Sequence, residues 1–500
     1  MRTLAGVVAA HAAESGDRCA FVGGDHRMTW RDYDERASGI AGALVDAGVT
    51  GGDRVAVLLA DGPAVHACYV GVERAGGVIV GIGPRAGRRE VEHLLDITGA
   101  SLVLSEPDPD QRLPPGLPRL AVTETELPAG GPAPARAGRS DDLWLLNSTS
   151  GTTGRPKCVV HDQRRWFAFH DLAVAAAELS ERDVFLSALP APFGFGIWTA
   201  HVTPALLGAP CVVLPRFEAD ECLAAIEREQ VTVLAAVSTQ FVMLLNSPAI
   251  DRYDLTSLRV LFTGGEMVPE RRAAEFEDRT GCRVLQFYGS NETGALSGTT
   301  LADSRERRLR TAGRVIPSMN VRLLDHRDAD VTASGGPGVA ACSGPLCCRG
   351  YYNDGDANAA LYTRDGWMRT GDRCTIDADG YLTVAGRASD FIIRGGKNIS
   401  AAQVEDEMAT HPSVALAAAV AMPDPVFGER VCAYVEVAPG AVLDLDDLRD
   451  HLRARGVGKE LWPERLVVLE ALPRASGGKV AKGALRDDIR RRVAEEGVGS

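Results

Sequence analysis

Short apolar runs alternate with amphipathic stretches over residues 231–288, a pattern that predicts a βαβ architecture. Five runs predict buried strands: LWLLN (143–147), CVVL (211–214), VTVLAAV (231–237), LRVLFT (258–263) and CRVLQF (282–287). Between the last two, PERRAAEFEDRTG predicts a crossover helix, with Pro269 suited to its first position and Gly281 to its end. The region from about 20 to 320 is therefore predicted to be doubly wound α/β.

The pattern changes twice further along the chain. From about 320 to 385, glycine and polar turns separate shorter strands and predict a small, strongly curved β-rich unit. After Gly386, helical and strand patterns alternate again and predict a separate α+β domain of about 110 residues. We therefore predict a large N-terminal domain over 1–386 and a small C-terminal domain over 387–500.

Composition narrows the class of protein. The chain has 500 residues, more than one core usually supports, and 54 Lys and Arg against 67 Asp and Glu give a net charge of −13. This charge argues against nucleic-acid binding and against attachment to anionic membranes. Neither a secretory signal nor a long uncharged apolar run is present, and the eleven cysteines lack zinc spacing. We expect a reduced, cytoplasmic protein.

Three polar, glycine-containing loops follow predicted strands: STSGTTGRPK (148–157), GGE (264–266) and SNETG (290–294). Ligands of open parallel sheets collect beyond the carboxyl ends of the strands. The first loop offers hydroxyl donors, backbone amides and the cation Lys157, which are the parts of a polyphosphate cradle. Its spacing differs from that of a Walker loop.

STSGTTGRPK resembles the phosphate-binding signature of the adenylate-forming superfamily, which contains acyl-CoA synthetases, aryl-acid ligases, peptide-synthetase adenylation domains and luciferases. Further matches follow in the family's order: MTWRDYDERASGIAGALVDAGVTGGDRVAVLL, YGSNETG, RTGD (369–372), GRASDFIIRGGKNISAAQVE (386–405) and PRASGGKVAKGALR (473–486). The resemblance implies doubly wound sheets, a small distorted β-barrel and a mobile C-terminal lid. It also implies ATP, Mg²⁺ and an acyl adenylate formed with release of pyrophosphate.

The resemblance also assigns residue roles. Tyr288 would stack on adenine, Asp372 would accept the ribose hydroxyls, and Arg387 would contact ribose or phosphate. The implied nucleotide-binding set is Ser148, Thr149, Ser150, Gly151, Thr152, Thr153, Gly264, Gly265, Glu266, Tyr288, Gly289, Asn291, Asp372 and Arg387. The implied catalytic set is Lys479 at the α-phosphate, Glu292 as the Mg²⁺ ligand, and Lys157.

Three positions depart from the family pattern. Asn291 stands where relatives usually have Thr, Ser389 stands at the hinge where Asp or Lys is common, and Phe193 replaces a gate His. The predicted acid pocket contains Phe193, Phe195, Trp198 and Gln240, which favours a compact, flat aromatic acid.

Four functions remain open from the sequence. The leading prediction is transfer of the acyl group to CoA, because a complete C-terminal domain is present without a fused carrier domain. The chain could instead load an aryl or amino acid onto the phosphopantetheine of a separate carrier protein. The same fold could activate nitrite and diazotise an aryl amine, which Asn291 and Ser389 keep open. A non-catalytic nucleotide-binding protein is disfavoured by the presence of Lys479, Glu292 and Lys157. The sequence does not indicate an oligomeric state.

Overall fold

The computed structural model describes residues 2–107, 112–128, 138–148, 156–266, 268–387, 390–394, 397–475 and 479–498. Its strands are β1 Cys19–Gly23, β2 His26–Thr29, β3 Arg54–Leu58, β4 Val78–Gly81, β5 Leu102–Ser105, β6 Arg119–Ala121, β7 Leu145–Ser148, β8 Cys158–His161, β9 Phe185–Ser187, β10 Cys211–Val213, β11 Val233–Ala235, β12 Val260–Gly264, β13 Arg283–Ser290, β14 Gly294–Gly298, β15 Arg314–Val315, β16 Asn320–Leu324, β17 Gly338–Ser343, β18 Met368–Ile376, β19 Leu382–Arg387, β20 Phe391–Arg394, β21 Lys397–Ser400, β22 Val414–Asp424, β23 Gly428–Val437 and β24 Arg465–Leu469.

The helices cover the faces of the sheets and connect their strands. They are α1 Leu4–Ser15, α2 Trp30–Asp46, α3 Pro63–Arg74, α4 Arg88–Thr98, α5 Gln163–Ala177, α6 Gly194–Gly196, α7 Thr203–Leu207, α8 Ala219–Glu229, α9 Ser238–Asn246, α10 Glu270–Thr280, α11 Arg305–Arg310, α12 Gly355–Leu361, α13 Ala401–Met408, α14 Leu445–Ala454 and α15 Lys482–Val498. A π-helical segment, Ile197–Val202, joins α6 to α7. Within the described ranges, no helix is both long and apolar enough to cross a membrane.

Two large sheets form the N-terminal part of the protein, as the doubly wound pattern predicted. One sheet has six strands in the order β6-β5-β3-β4-β7-β8, and the other has nine in the order β15-β14-β13-β12-β11-β9-β10-β1-β2. In the larger sheet, the strands that lie between β13 and β1 in this order pair in parallel with their neighbours. The pairs at its two edges, β1–β2, β13–β14 and β14–β15, are antiparallel. Parallel strands buried on both faces account for the continuous apolar runs in the sequence.

All five predicted buried strands are present, with shifted bounds. The strand predicted at LWLLN is β7, which begins at Leu145 and ends at Ser148. It therefore runs directly into the first polar loop. The predicted crossover helix is α10; Pro269 lies at its N-cap, one position before the predicted one, because the ψ of Pro269 is extended at 113°. Gly281 ends this helix with a left-handed φ of 75°, which a residue without a Cβ adopts at little cost.

The predicted β-rich unit is a four-stranded antiparallel sheet in the order β16-β17-β18-β19. A five-stranded sheet formed by β20 to β24, flanked by α13, α14 and α15, follows it. In β18 and β19, Asp372 lies opposite Arg387, which places two predicted site residues side by side at the end of the β-rich unit. The boundary at 386/387 stays a prediction, and the predicted hinge residue Ser389 lies outside the described residues.

Candidate active site

Two cavities meet beyond the carboxyl ends of β7, β12 and β13. The strand-end cavity, of about 680 Å³, is lined by aromatic side chains and by the loops that follow these strands. The interdomain cavity, of about 440 Å³, lies between the large N-terminal part and the helices and strands after Arg387. Their shared wall contains Gly264, Gly265, Phe287, Tyr288, Gly289, Arg387, Ala475 and Lys479. The loops GGE and SNETG and the two flanks of the first loop, Ser148 and Lys157, therefore converge on one site.

Two glycines allow close approach at this shared wall. A Cβ at Gly264 would lie 2.3 Å from the carbonyl oxygen of Phe287, so a side chain cannot fit between β12 and β13. Gly265 has a φ of 78°, and a Cβ there would lie 2.9 Å from the Nζ atom of Lys479. The second glycine thus leaves the space that the lysine ammonium occupies.

Lys479 is a cation of the C-terminal part that lies at the wall shared by the two cavities. Its Nζ atom donates to the carbonyl oxygen of Gly265 over 2.5 Å. Burial lowers the pKa of Lys479, and the neighbouring Glu266 carboxylate acts in the opposite direction. A desolvated ammonium gains more from a bound anion than a hydrated one does, so this position suits contact with a phosphate.

The residues predicted to bind the nucleoside form a bonded group. The Tyr288 hydroxyl donates to Oδ2 of Asp372 over 2.8 Å, and Nε of Arg387 lies 3.5 Å from Oδ1 of the same carboxylate. Burial raises the pKa of Asp372, and the Arg387 charge opposes this shift. Glu266 accepts a hydrogen bond of 2.9 Å from the backbone N–H of Thr239 at the start of α9. This group presents an aromatic ring and a carboxylate to the interdomain cavity.

A second group surrounds Glu292 in the strand-end cavity. The hydroxyl of Tyr351 donates to Oε1 of Glu292 over 2.8 Å, and Nζ of Lys157 lies 4.9 Å from the centre of the Tyr351 ring. Sequence reasoning missed Tyr351, whose only local signal is the aromatic pair in RGYYND. Ser148, at the end of β7, is 3% exposed, and its hydroxyl has no partner among the described residues.

Glu292 fits the single-carboxylate type of Mg²⁺ site. Mg²⁺ in nucleotide enzymes is held by one or two carboxylates together with substrate phosphates and water. The bond from Tyr351 fixes one carboxylate oxygen of Glu292, which lines the strand-end cavity. Within the described residues, no cluster of three or more His, Cys, Asp or Glu side chains offers a cage made by the protein alone.

The aromatic wall of the strand-end cavity is built around Trp198. The Trp198 ring stacks with Phe169 at 4.5 Å and with Phe195 at 5.5 Å between ring centres, and it meets Phe287 nearly edge-on at 80°. Phe193 also lines this cavity. Trp166, Phe169 and Phe287 were missed, because apolar periodicity cannot separate a cavity wall from a closed core.

Gln240, which the sequence predicted for the acid pocket, does not line the strand-end cavity. Its amide nitrogen donates to the carbonyl oxygen of Ala188, and its Oε1 atom accepts from the backbone N–H of Val237. The side chain is 5% exposed and ties the start of α9 to the end of β9. Helix capping therefore accounts for this glutamine.

Five residues of the predicted phosphate loop remain predictions. Thr149, Ser150, Gly151, Thr152 and Thr153 lie outside the described residues. The loop's two flanks, Ser148 and Lys157, both line the strand-end cavity.

The cations Lys157 and Lys479, the Asp372 carboxylate and an aromatic-lined cavity lie together at the ends of parallel strands, which fits the site that an adenylate-forming enzyme requires. The chain belongs to the AMP-binding enzyme family, which it matches over residues 8–352, with the family's C-terminal domain over 403–479. It is a ligase of the adenylate-forming superfamily, as the sequence motifs predicted.

Individual relatives extend this likeness over nearly the whole chain. The chain is 33% identical to pyochelin synthase PchD of Pseudomonas aeruginosa (strain UCBPP-PA14), covering 98% of this chain and 93% of that protein. It is 33% identical to feruloyl-CoA synthase of Amycolatopsis sp, covering 93% and 94%. The crystal structure of the anthranilate CoA ligase AuaEII with anthranoyl-AMP superposes with a TM-score of 0.90 at 22% identity, covering 99% and 98%, and supports the fold.

Proposed function

We propose that this chain uses ATP and Mg²⁺ to adenylate a small aromatic carboxylic acid, releases pyrophosphate and then transfers the acyl group to CoA. The observation that carries the choice of acid is the aromatic wall around Trp198. Aromatic side chains in a cavity wall favour a flat apolar ring, which can stack on them or meet them edge-on. Feruloyl-CoA synthase, a 33% identical relative, is named for an aromatic acid, which supports the same assignment.

The charges of the strand-end cavity argue against an amino acid as substrate. An α-ammonium group needs a carboxylate or several carbonyl acceptors beside the carboxyl group that reacts. Among the described residues that line this cavity, Glu292 is the one carboxylate. We assign it to Mg²⁺, which leaves no lining carboxylate for the ammonium of an amino acid.

Electrostatics accounts for the proposed catalytic roles. Attack of an anionic carboxylate on an anionic α-phosphate is opposed by repulsion, so positive charge placed between them lowers the barrier. We assign Lys479 to the attacking carboxylate and the α-phosphate, and Lys157 to the other phosphates. Mg²⁺ held by Glu292 would supply neutralising charge to the pyrophosphate that leaves.

The proposed nucleoside contacts follow from the bonded group on the other side of the shared wall. Asp372 would accept the ribose hydroxyls, Tyr288 would stack on adenine, and Arg387 would contact ribose or phosphate. We assign the Gly264–Gly265 backbone, which lies at the wall shared by the two cavities, to the edge of the base. The cytoplasm is the proposed compartment, since all eleven cysteines are free thiols.

A panel of reactions tests the proposal. Pyrophosphate release is measured with ATP, Mg²⁺ and a series of benzoic, hydroxybenzoic, aminobenzoic, cinnamic, aliphatic and amino acids, each with and without CoA. The expected result is the highest kcat/KM with an aromatic acid and a CoA thioester detected by mass spectrometry.

Other outcomes would assign a different function. An adenylate that forms but is not transferred to CoA would favour a carrier-protein acceptor. Pyrophosphate release that requires nitrite, with diazotisation of an aryl amine, would replace the acid altogether. Bound ATP with no pyrophosphate release under any condition would refute a ligase.

A further inference from the structure

A chain of polar side chains lies behind the wall of the strand-end cavity. Arg165, His161 and Asn147 are 4%, 0% and 1% exposed, and they run from α5 through β8 to β7. Nη1 of Arg165 lies 2.7 Å from Nδ1 of His161, and Nε2 of His161 lies 2.7 Å from Oδ1 of Asn147. The chain ends at Asn291, whose Nδ2 atom donates to Oδ1 of Asn147 over 2.7 Å.

The order of donors in this chain is fixed by its first member. A guanidinium can only donate, so Nδ1 of His161 is the acceptor and Nε2 carries the proton that is donated to Asn147. Burial lowers the pKa of His161 well below its usual range, and the Arg165 charge adds to the effect, so the ring is neutral. This neutral tautomer fixes Asn147 with its oxygen toward the histidine.

Asn147 and Asn291 then form a reciprocal pair. The amide nitrogen of Asn147 donates to the carbonyl oxygen of Pro192 over 2.8 Å and to Oδ1 of Asn291 over 3.3 Å. Oδ1 of Asn291 also faces Gly194, where a Cβ would lie only 2.6 Å away. One N–H of the Asn291 amide has no partner among the described residues, and Asn291 lines the strand-end cavity beside Glu292.

We propose that Arg165, His161 and Asn147 are positioning residues that hold the Asn291 amide in one orientation, so that its free N–H donates to an anionic oxygen of the acyl adenylate. This inference rests on the proposed function for the identity of the ligand. An amide that is already oriented does not have to give up alternative rotamers when the ligand binds, which favours binding.

His161 is the member through which this inference can be tested with least disturbance. Arg165 also donates to the carbonyl oxygens of Asn291 and Glu292, at 3.0 and 3.4 Å, so changing it would move the Mg²⁺ ligand as well. His161→Leu removes the relay and leaves those backbone bonds. His161→Gln restores an N–H donor, and His170→Gln is a matched control on α5, where the ring contacts the Thr203 hydroxyl instead.

The binding test compares adenosine with a benzoyl sulfamoyl adenosine, a stable analogue of an aromatic acyl adenylate, by calorimetry. His161→Leu is expected to raise the Kd of the analogue by about 2- to 10-fold, because the Asn291 amide then gives up alternative rotamers when the analogue binds. The Kd of adenosine should not change, His161→Gln should recover most of the affinity, and His170→Gln should behave as wild type. The double variant His161→Leu/Asn291→Ala should bind no more weakly than Asn291→Ala alone.

Two results would overturn the inference. The first is a Kd of the analogue that does not change in His161→Leu. The second is a double variant whose Kd rises by the product of the increases seen in His161→Leu and Asn291→Ala. Either result would show that His161 does not act through Asn291. If wild type releases pyrophosphate with an aromatic acid but His161→Leu has no effect on either assay, the relay is wrong and the proposed function stands. If no acid is turned over but analogue affinity depends on His161 as described, the proposed function fails and the relay stands.

Discussion

Replacing Lys479 by alanine separates the two half-reactions that the site is proposed to perform. The Nζ atom of Lys479 lies 2.5 Å from the carbonyl oxygen of Gly265, at the wall shared by the two cavities. Lys479→Ala removes this ammonium and leaves the Gly265 backbone in place. The first half-reaction, formation of the adenylate, should lose the charge that offsets repulsion between the carboxylate and the α-phosphate.

The magnitude follows from the kind of interaction that is lost. Removing one positioned group that stabilises transition-state charge costs about 3–4 kcal/mol, or about 10²- to 10³-fold in rate. Stability should be affected little, because burial lowers the pKa of Lys479 and the ammonium is therefore held at a desolvation cost. We expect the variant to keep the wild-type Tm while losing adenylation.

The assay measures each half-reaction by itself. Adenylation is followed as pyrophosphate release, and thioester synthesis is followed from supplied acyl adenylate and CoA. Lys459→Ala, which changes an exposed lysine, is the control and should match wild type in both steps. Equal losses in the two half-reactions of Lys479→Ala would refute the assigned role, and so would an adenylation rate equal to that of wild type.

Three further predictions concern other parts of the molecule. Tyr351→Phe removes the 2.8 Å bond to Glu292 and should raise the Mg²⁺ concentration for half-maximal rate by about 10- to 100-fold in a metal titration. Glu277→Ala leaves Arg308, 2% exposed, without its carboxylate and should lower the free energy of unfolding in urea by about 3–5 kcal/mol. Burial lowers the pKa of His201 to about 3 in the folded protein, whereas an exposed histidine has a pKa of about 6.5. Below about pH 6.5 the His201 ring therefore gains a proton when the protein unfolds. Wild type should therefore lose about 1.4 kcal/mol per pH unit relative to His201→Gln as the pH falls from about 6 to 4.

Each of these predictions has an outcome that contradicts it. An unchanged Mg²⁺ requirement in Tyr351→Phe would show that the hydroxyl does not orient Glu292. Glu270→Ala breaks an exposed ion pair with Arg310 and should cost at most about 1 kcal/mol, so a similar cost in Glu277→Ala would exclude a special effect of burial. A pH-independent difference between wild type and His201→Gln would mean that the ring is hydrated in the folded state.

The architecture could be predicted because its signals are local. The strands β12 and β13 and the helix α10 are encoded by short apolar runs and by Gly281, each within a dozen residues. The chemistry of the loops was equally local, since GGE and SNETG follow directly on those strands. Motif resemblance then gave the family, which the comparison with known proteins confirmed.

The partners of individual side chains could not be predicted in this way. Glu292 contacts Tyr351. Asn291, in the turn after β13, contacts Asn147 of β7 across 144 positions of the chain. Gln240 has a polar side chain of the kind that often lines pockets. Its amide nitrogen instead donates to the carbonyl oxygen of Ala188, at the end of β9, and this bond holds the side chain away from the cavity.

The sequence by itself determined the order of strands and helices, the family and the residue types available for phosphate chemistry. Only the tertiary structure decided which buried donors meet which acceptors. Apolar periodicity specifies the face of an element that is buried, but the bonds of a buried polar atom depend on the atoms that distant segments place within about 3 Å of it.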